Sequence, residues 1–170
     1  MDADAIIARY AMKPHPEGGF YAETYRSAGL IPASALPGFT GARAYCTAIL
    51  YLLREGECSA LHRLRQDEIW HFHAGGPLRL VALSPDGHWT ETRMGESPQE
   101  TVQWVVPAGC WFGARPAPGS GFCLVGCTVA PGFDFADFEI ADPAELRARH
   151  PSLEKEIQTF TLQKEPSHEC

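Results

Sequence analysis

His62 and Glu68 are the pair whose types and spacing suggest chemistry first. An imidazole titrates near neutrality and can take a proton from carbon, and a carboxyl group can hold or return one. If both sit on strands, alternation of side chains decides which neighbours join them. His62 pointing inward takes Leu64 with it. On the next strand Glu68, Trp70 and Phe72 share one face, while Ile69, His71 and His73 share the other. His71 and His73 are therefore expected outside the site. Tyr21, Glu23 and Tyr25 share a face of an earlier strand, so Glu23 is a further carboxylate and Tyr21 a stacking surface; parity puts Arg26 on the opposite face. Tyr51, Trp70, Phe72 and Phe112 are expected to wall the ligand space with apolar surface. Asp134 and Asp137 follow the Pro131-Gly132 turn, where a carboxylate could lie beside His62 and fix its tautomer.

The elements that must hold these residues are short and β-rich. Strand signals run over Phe20 to Tyr25, Ala44 to Leu53, Glu68 to His73, Leu78 to Leu83, Trp89 to Arg93, Thr101 to Val106 and Phe122 to Val129. Turn chemistry separates them, including Gly75-Gly76-Pro77, Asp86-Gly87 and Pro107-Ala108-Gly109. Asp86-Gly87 is the strongest hairpin signal. Helical patterning is confined to residues 3–12 and 143–158, and Gln163 to Cys170 read as a polar frayed end. With 16 Gly and 14 Pro spread between the strand signals, the chain reads as one all-β domain over residues 1–170, an antiparallel sandwich or barrel with its core in about 15–140.

Composition narrows the function classes. Hydrophobic residues make up 45% and charged residues 21% of 170, ordinary for a globular domain. Fourteen Lys+Arg against 21 Asp+Glu give a net charge of −7, with no basic block. A nucleic-acid polymer or an anionic membrane surface is therefore not an expected partner. No apolar run is long enough to span a bilayer, and the start lacks the pattern of a secretion signal, so the cytoplasm is the expected compartment. The six Cys form no C-x-x-C pair; Cys123 and Cys127 are expected in the core, and a terminal thiol outside it.

Gly56, His62, Glu68 and Gly75 fall at the spacing of the first cupin motif, G-x5-H-x-H-x3-E-x6-G, with Leu64 at its second His. Pro107 and Gly109 match the second motif, with Phe112 where its His would be. On these residues the chain resembles the cupin superfamily. The strings from His15 to Arg26, Asp67 to Phe72, Val106 to Gly109 and Val125 to Phe138 are similar to its cupin-5 family. The resemblance implies a double-stranded β-helix (jelly roll) with a cavity inside, and a homodimer. A metal-dependent cupin holds its ion with three His and one Glu. Here only His62 and Glu68 remain, so no metal or other cofactor is expected.

A second resemblance is to metal-free cupins of the dTDP-4-dehydrorhamnose 3,5-epimerase type. It rests on Gly18-Gly19-Phe20-Tyr21-Ala22-Glu23, Leu61-His62 and Trp104 to Gly109. It implies that His62 abstracts a proton beside a ketone. Gly18 stands where that type carries a phosphate-binding Arg, and its catalytic Tyr has no clear match. Three readings follow. The first is a metal-free sugar or nucleotide-sugar epimerase or isomerase with His62, Glu68 and Glu23 as catalytic groups. The second is a non-catalytic cupin that binds a nucleotide or sugar phosphate. The third is a metal-dependent cupin enzyme.

Overall fold

Runs of β-branched and aromatic residues, punctuated by Gly and Pro, pair here as antiparallel strands. The structure is a computed structural model and describes residues 2–162. The expected polar end at 163–170, with its terminal thiol, lies outside the described residues. Helix α1 (Ala3–Arg9) opens the chain, capped by the Asp2 side chain, which accepts the Ala5 N–H at 2.8 Å. Short β1 (Lys13–Pro14) leads to β2 (Phe20–Arg26), β3 (Leu30–Ile31) and β4 (Arg43–Ala44). Then come β5 (Thr47–Arg54), β6 (Ser59–Leu64), β7 (Asp67–Gly75), β8 (Leu78–Leu83) and β9 (Trp89–Met94). Strands β10 (Gln103–Val106), β11 (Trp111–Pro116), β12 (Phe122–Ala130) and β13 (Phe138–Ile140) complete the set. Helices α2 (Pro143–Arg149) and α3 (Glu154–Thr159) follow.

Two sheets pack face to face. One has the order β1-β2-β5-β12-β7-β10 and the other β13-β6-β11-β8-β9, with β3-β4 a separate ribbon. Between them Tyr51, Leu53, Trp70, Cys123 and Val125 of the first sheet meet Leu64, Leu80, Ala82, Phe112 and Ala114 of the second. The terminal helices cover outer faces. Ile6 of α1 packs with Leu52 and Leu124, and Leu146, Ile157 and Phe160 pack with Leu61, Val81 and Leu83. This explains why β5 and β8 are apolar at successive positions: both of their faces are buried. Each fully buried Leu contributes roughly 2 kcal/mol.

The all-β jelly-roll architecture agrees with the sequence reading, and the α-helices stand only at the ends. The Asp86-Gly87 signal is the β8–β9 hairpin, in which Leu83 pairs with Trp89 and Gly87 takes a φ of 88°. The continuous run Ala44 to Leu53 is divided. Ala44 pairs with Leu30 in the ribbon, and the chain re-enters the large sheet at Thr47. Strands β6, β11 and β13 carried no propensity signal, since they contain Ser59, His62, Gly113, Pro116 and Glu139. Pairing and burial in the second sheet override those local preferences. Among the described residues no helix is long and apolar enough to cross a membrane.

Candidate functional site

The Arg65-Gln66 link carries the chain from one sheet to the other. His62 on β6 and Glu68 on β7, successive strands in the chain, therefore face each other across the sandwich. Between the sheets lies a cavity of about 270 Å³ with both residues on its wall, 2% and 7% exposed respectively. Tyr21 and Glu23 of β2, Tyr51 of β5 and the loop residue Asp134 also reach it.

The partner of His62 comes from the loop before β2. Glu17 Oε2 lies 3.1 Å from His62 Nε2 and 3.3 Å from His15 Nδ1, and Ser59 Oγ donates to Glu17 Oε1 at 2.8 Å. Local backbone geometry puts Glu17 there. Gly18 and Gly19 adopt φ of 111° and 67°, and a Cβ on Gly18 would fall 2.1 Å from the Cys58 carbonyl oxygen. The Glu17 carbonyl accepts the Ala60 N–H at 2.8 Å, tying the loop to β6 two residues before His62. The Tyr51 hydroxyl donates to the Gly18 carbonyl at 2.7 Å.

These contacts set the charges. Burial works to raise the Glu17 pKa. The His62 charge and the hydrogen bonds of His15 and Ser59 outweigh it and hold the carboxyl well below its usual range. His62 is lowered, chiefly by burial, with Glu17 opposing. Its Nδ1 lies 2.8 Å from the Ala60 carbonyl oxygen, which can only accept. The neutral ring therefore carries its proton on Nδ1 and keeps the Nε2 lone pair. Glu68 behaves oppositely to Glu17. Burial, then the Glu17 charge, push it up to about 8. At neutral pH the cavity thus holds an uncharged acid facing a neutral imidazole backed by a carboxylate.

At the cavity mouth the parity argument fails. Glu23 pairs with Ile49 but Tyr25 pairs with Ala48, so Thr24 is an extra residue, a β-bulge. The bulge turns Tyr25 outward, 54% exposed, and brings Arg26 to the same side as Glu23. Arg26 Nε and Nη2 donate to Glu23 Oε1 and Oε2 at 3.0 and 2.6 Å, and Nη1 donates to the Phe133 carbonyl at 3.1 Å.

Three expected wall residues do not line the cavity. Trp70 lies behind Tyr51, ring centroids 5.8 Å apart, and Phe112 behind His62 at 4.0 Å. Both fill the core, because the cavity occupies only one end of the space between the sheets. Phe72 packs against the same core, half-buried. The aromatic wall is instead Phe133, Phe135 and Phe138, from the segment after β12. Asp134 reaches the cavity and caps its own turn, accepting the Ala136 N–H at 2.9 Å. Asp137 does not approach His62. It forms a buried pair with Arg43, Oδ2 and Oδ1 accepting from Nε and Nη2 at 2.7 and 2.8 Å. His71 turns away, its Nε2 3.2 Å from Thr128 Oγ1 and its Nδ1 3.0 Å from Gln103 Nε2. His15 and Glu17 were not singled out from the sequence. Their one local signal is the Gly-Gly pair that follows them.

The donor set does not suit a cupin metal centre. Leu64 and Phe112, at two of the four motif positions, offer no ligand atom. Among the described residues no three His, Cys, Asp or Glu side chains are grouped to hold an ion.

A family model described as cupin superfamily (DUF985) matches residues 4–141. The X-ray structure of a Shewanella oneidensis protein is similar at 38% identity and a TM-score of 0.86, covering 96% of this chain and 99% of that one. A hypothetical protein from Leishmania major is similar at 33% identity and a TM-score of 0.87, covering 96% and 100%. A variant of Bacillus subtilis oxalate decarboxylase aligns at 14% identity and a TM-score of 0.55, covering 89% of this chain and 38% of that one. That likeness is one of fold alone. No curated protein matches.

Proposed function

Since the chain belongs to the DUF985 family of the cupin superfamily, we propose that its cavity performs metal-independent proton transfer on a small, polar, carbohydrate-like ligand, as an isomerase or epimerase. The observation that carries this reading is Glu68 facing His62 across one cavity, both buried, where burial pushes the carboxyl up to about 8 and the imidazole down. Groups whose surroundings push their pKa values apart are suited to divide acid and base work. His62 Nε2 takes a proton from a carbon beside a carbonyl. Glu17, 3.1 Å away, stabilises the imidazolium so formed. Glu68 gives its proton to the carbonyl oxygen, which leaves an enol. The imidazolium then gives its proton back, to the neighbouring carbon for isomerisation or to the same carbon after the enol turns over for epimerisation, and Glu68 recovers a proton from an enol hydroxyl. The likeness of Phe20 to Glu23 and Leu61-His62 to the epimerase-type stretches supports the same assignment. Glu23, paired with Arg26 at the mouth, shapes entry in this scheme and takes no proton.

About 270 Å³ lies just under the roughly 300–1,000 Å³ of typical ligand pockets. A monosaccharide-sized ligand suits it better than a nucleotide-linked sugar. The five described cysteines are free, in keeping with a reducing compartment, and we place the reaction in the cytoplasm. The test is solvent deuterium incorporation, followed by NMR in heavy water, with a panel of unphosphorylated aldoses and ketoses. Wild-type protein should label at least one sugar at the carbon beside its carbonyl, and Glu68→Gln should slow that labelling at least about 100-fold. One observation favours a non-catalytic binding module instead: both His62 ring nitrogens already have protein neighbours. That reading expects sugar binding with no labelling in any pairing.

A further inference from the structure

Arg26 is the single Arg or Lys among the described residues that line the cavity, and it shares that wall with Glu17, Glu23, Glu68 and Asp134. All three of its nitrogens are engaged. Nε and Nη2 grip both oxygens of Glu23, and Nη1 holds the Phe133 carbonyl. A guanidinium fork is the usual means of gripping a phosphate or carboxylate, and here a carboxylate of the protein already fills it. The nearby turn amides are taken as well. Phe133 N–H donates to Thr47 Oγ1 at 2.9 Å and Ala136 N–H to Asp134 Oδ1 at 2.9 Å. An anion entering this cavity would have to displace Glu23 and then lie beside Glu17 and Asp134.

We infer that the cavity is built to reject anions, so that its ligand is an uncharged polyhydroxy compound and not a sugar phosphate, nucleotide or sugar acid, and that Glu23 enforces this by occupying Arg26. The inference deepens the proposed function by naming the ligand's charge class. It departs from the sequence-based expectation of a nucleotide or sugar-phosphate ligand. The Thr24 bulge is what makes the device possible, because a regular strand would have put Arg26 on the far face.

Inorganic phosphate is the probe, which keeps the test independent of the sugar's identity. It is titrated at pH 7 and low ionic strength into wild type, Glu23→Ala and the double variant Glu23→Ala/Arg26→Gln, read by amide shifts of Thr47 and residues 133–136. Low salt matters because the pair is partly exposed and easily screened. Both side chains sit at the mouth, so folding should survive, and circular dichroism checks it. The expected result is at least tenfold tighter phosphate binding by Glu23→Ala than by wild type, abolished in the double variant. A smaller gain, wild-type binding as tight as the variant's, or a gain that survives loss of Arg26 would overturn the inference. The deuterium experiment is separate. A protein that labels no sugar yet gains phosphate affinity through Glu23→Ala would sink the enzymatic reading and leave the charge filter standing.

Discussion

Replacing Glu68 with Gln should make the protein more stable, by an amount that grows with pH. The carboxyl titrates near 4.5 in an unfolded chain and near 8 in the fold, raised by burial first and by Glu17 second. Between those values the folded protein holds a proton that the unfolded chain has released. Stability therefore falls as pH rises from 4.5 and levels off above 8. At about 1.4 kcal/mol per pH unit, the wild-type cost is about 3 kcal/mol at pH 7 and about 4 kcal/mol at pH 8, where the folded carboxyl is half ionised. Glutamine has the shape of the protonated acid and never ionises, so it removes this slope. The difference between variant and wild type should be near zero at pH 4.5. By pH 7 the melting temperature should rise by about 6–12 °C, at roughly 2–4 °C per kcal/mol for a chain of this size. The low Glu17 pKa keeps that group charged across the window, and the His62 titration is common to both proteins and cancels in the difference. Urea titrations of both proteins at pH 5, 7 and 8 measure it. A stability difference independent of pH, or a less stable variant at pH 8, would refute the account of Glu68 as a buried neutral acid. The same substitution removes the proposed acid, so gained stability and lost turnover should travel together.

His62→Asn should keep the fold and ligand affinity within about tenfold while lowering deuterium labelling at least about 100-fold; equal labelling by both proteins would remove His62 from the mechanism. Asp137→Ala should cost about 3–5 kcal/mol in urea titration, because it leaves Arg43 buried without its partner. The Asp137 pKa is lowered, with burial opposing and Arg43 and Gln66 prevailing. Its stabilisation should accordingly be complete above pH 4 and fade as acid carries pH through the lowered value. Prolonged chelation should leave melting temperature and labelling unchanged, and activity lost to a chelator and restored by one metal would overturn the donor-set argument. Light scattering at micromolar concentration should give a mass near twice 18.6 kDa, consistent with exposed Leu30 and Tyr45 beside the β3–β4 ribbon; the mass of one chain would contradict a homodimer.

Local pattern alone determined much of this. Alternation along β7 separated Glu68 from His71, turn residues bounded most strands of the large sheet, and the Gly56 to Gly75 spacing turned His62 and Leu64 inward. Those are properties of neighbours in the chain, and a sequence displays them directly. Tertiary structure decided the rest. The Thr24 bulge exists only in the pairing of β2 with β5, so nothing within Phe20 to Arg26 announces that Arg26 joins Glu23. Glu17 meets His62 because two glycines with positive φ fold their loop onto Ala60, a contact across more than 40 residues of chain. Trp70 and Phe112 were assigned to the cavity by face, but how far along the barrel the space extends depends on the packing of both sheets. The charge states of Glu17 and Glu68 are of the same kind. Two glutamates, alike in the sequence, are pushed apart because hydrogen-bond donors surround one and apolar surface and a neighbouring negative charge surround the other.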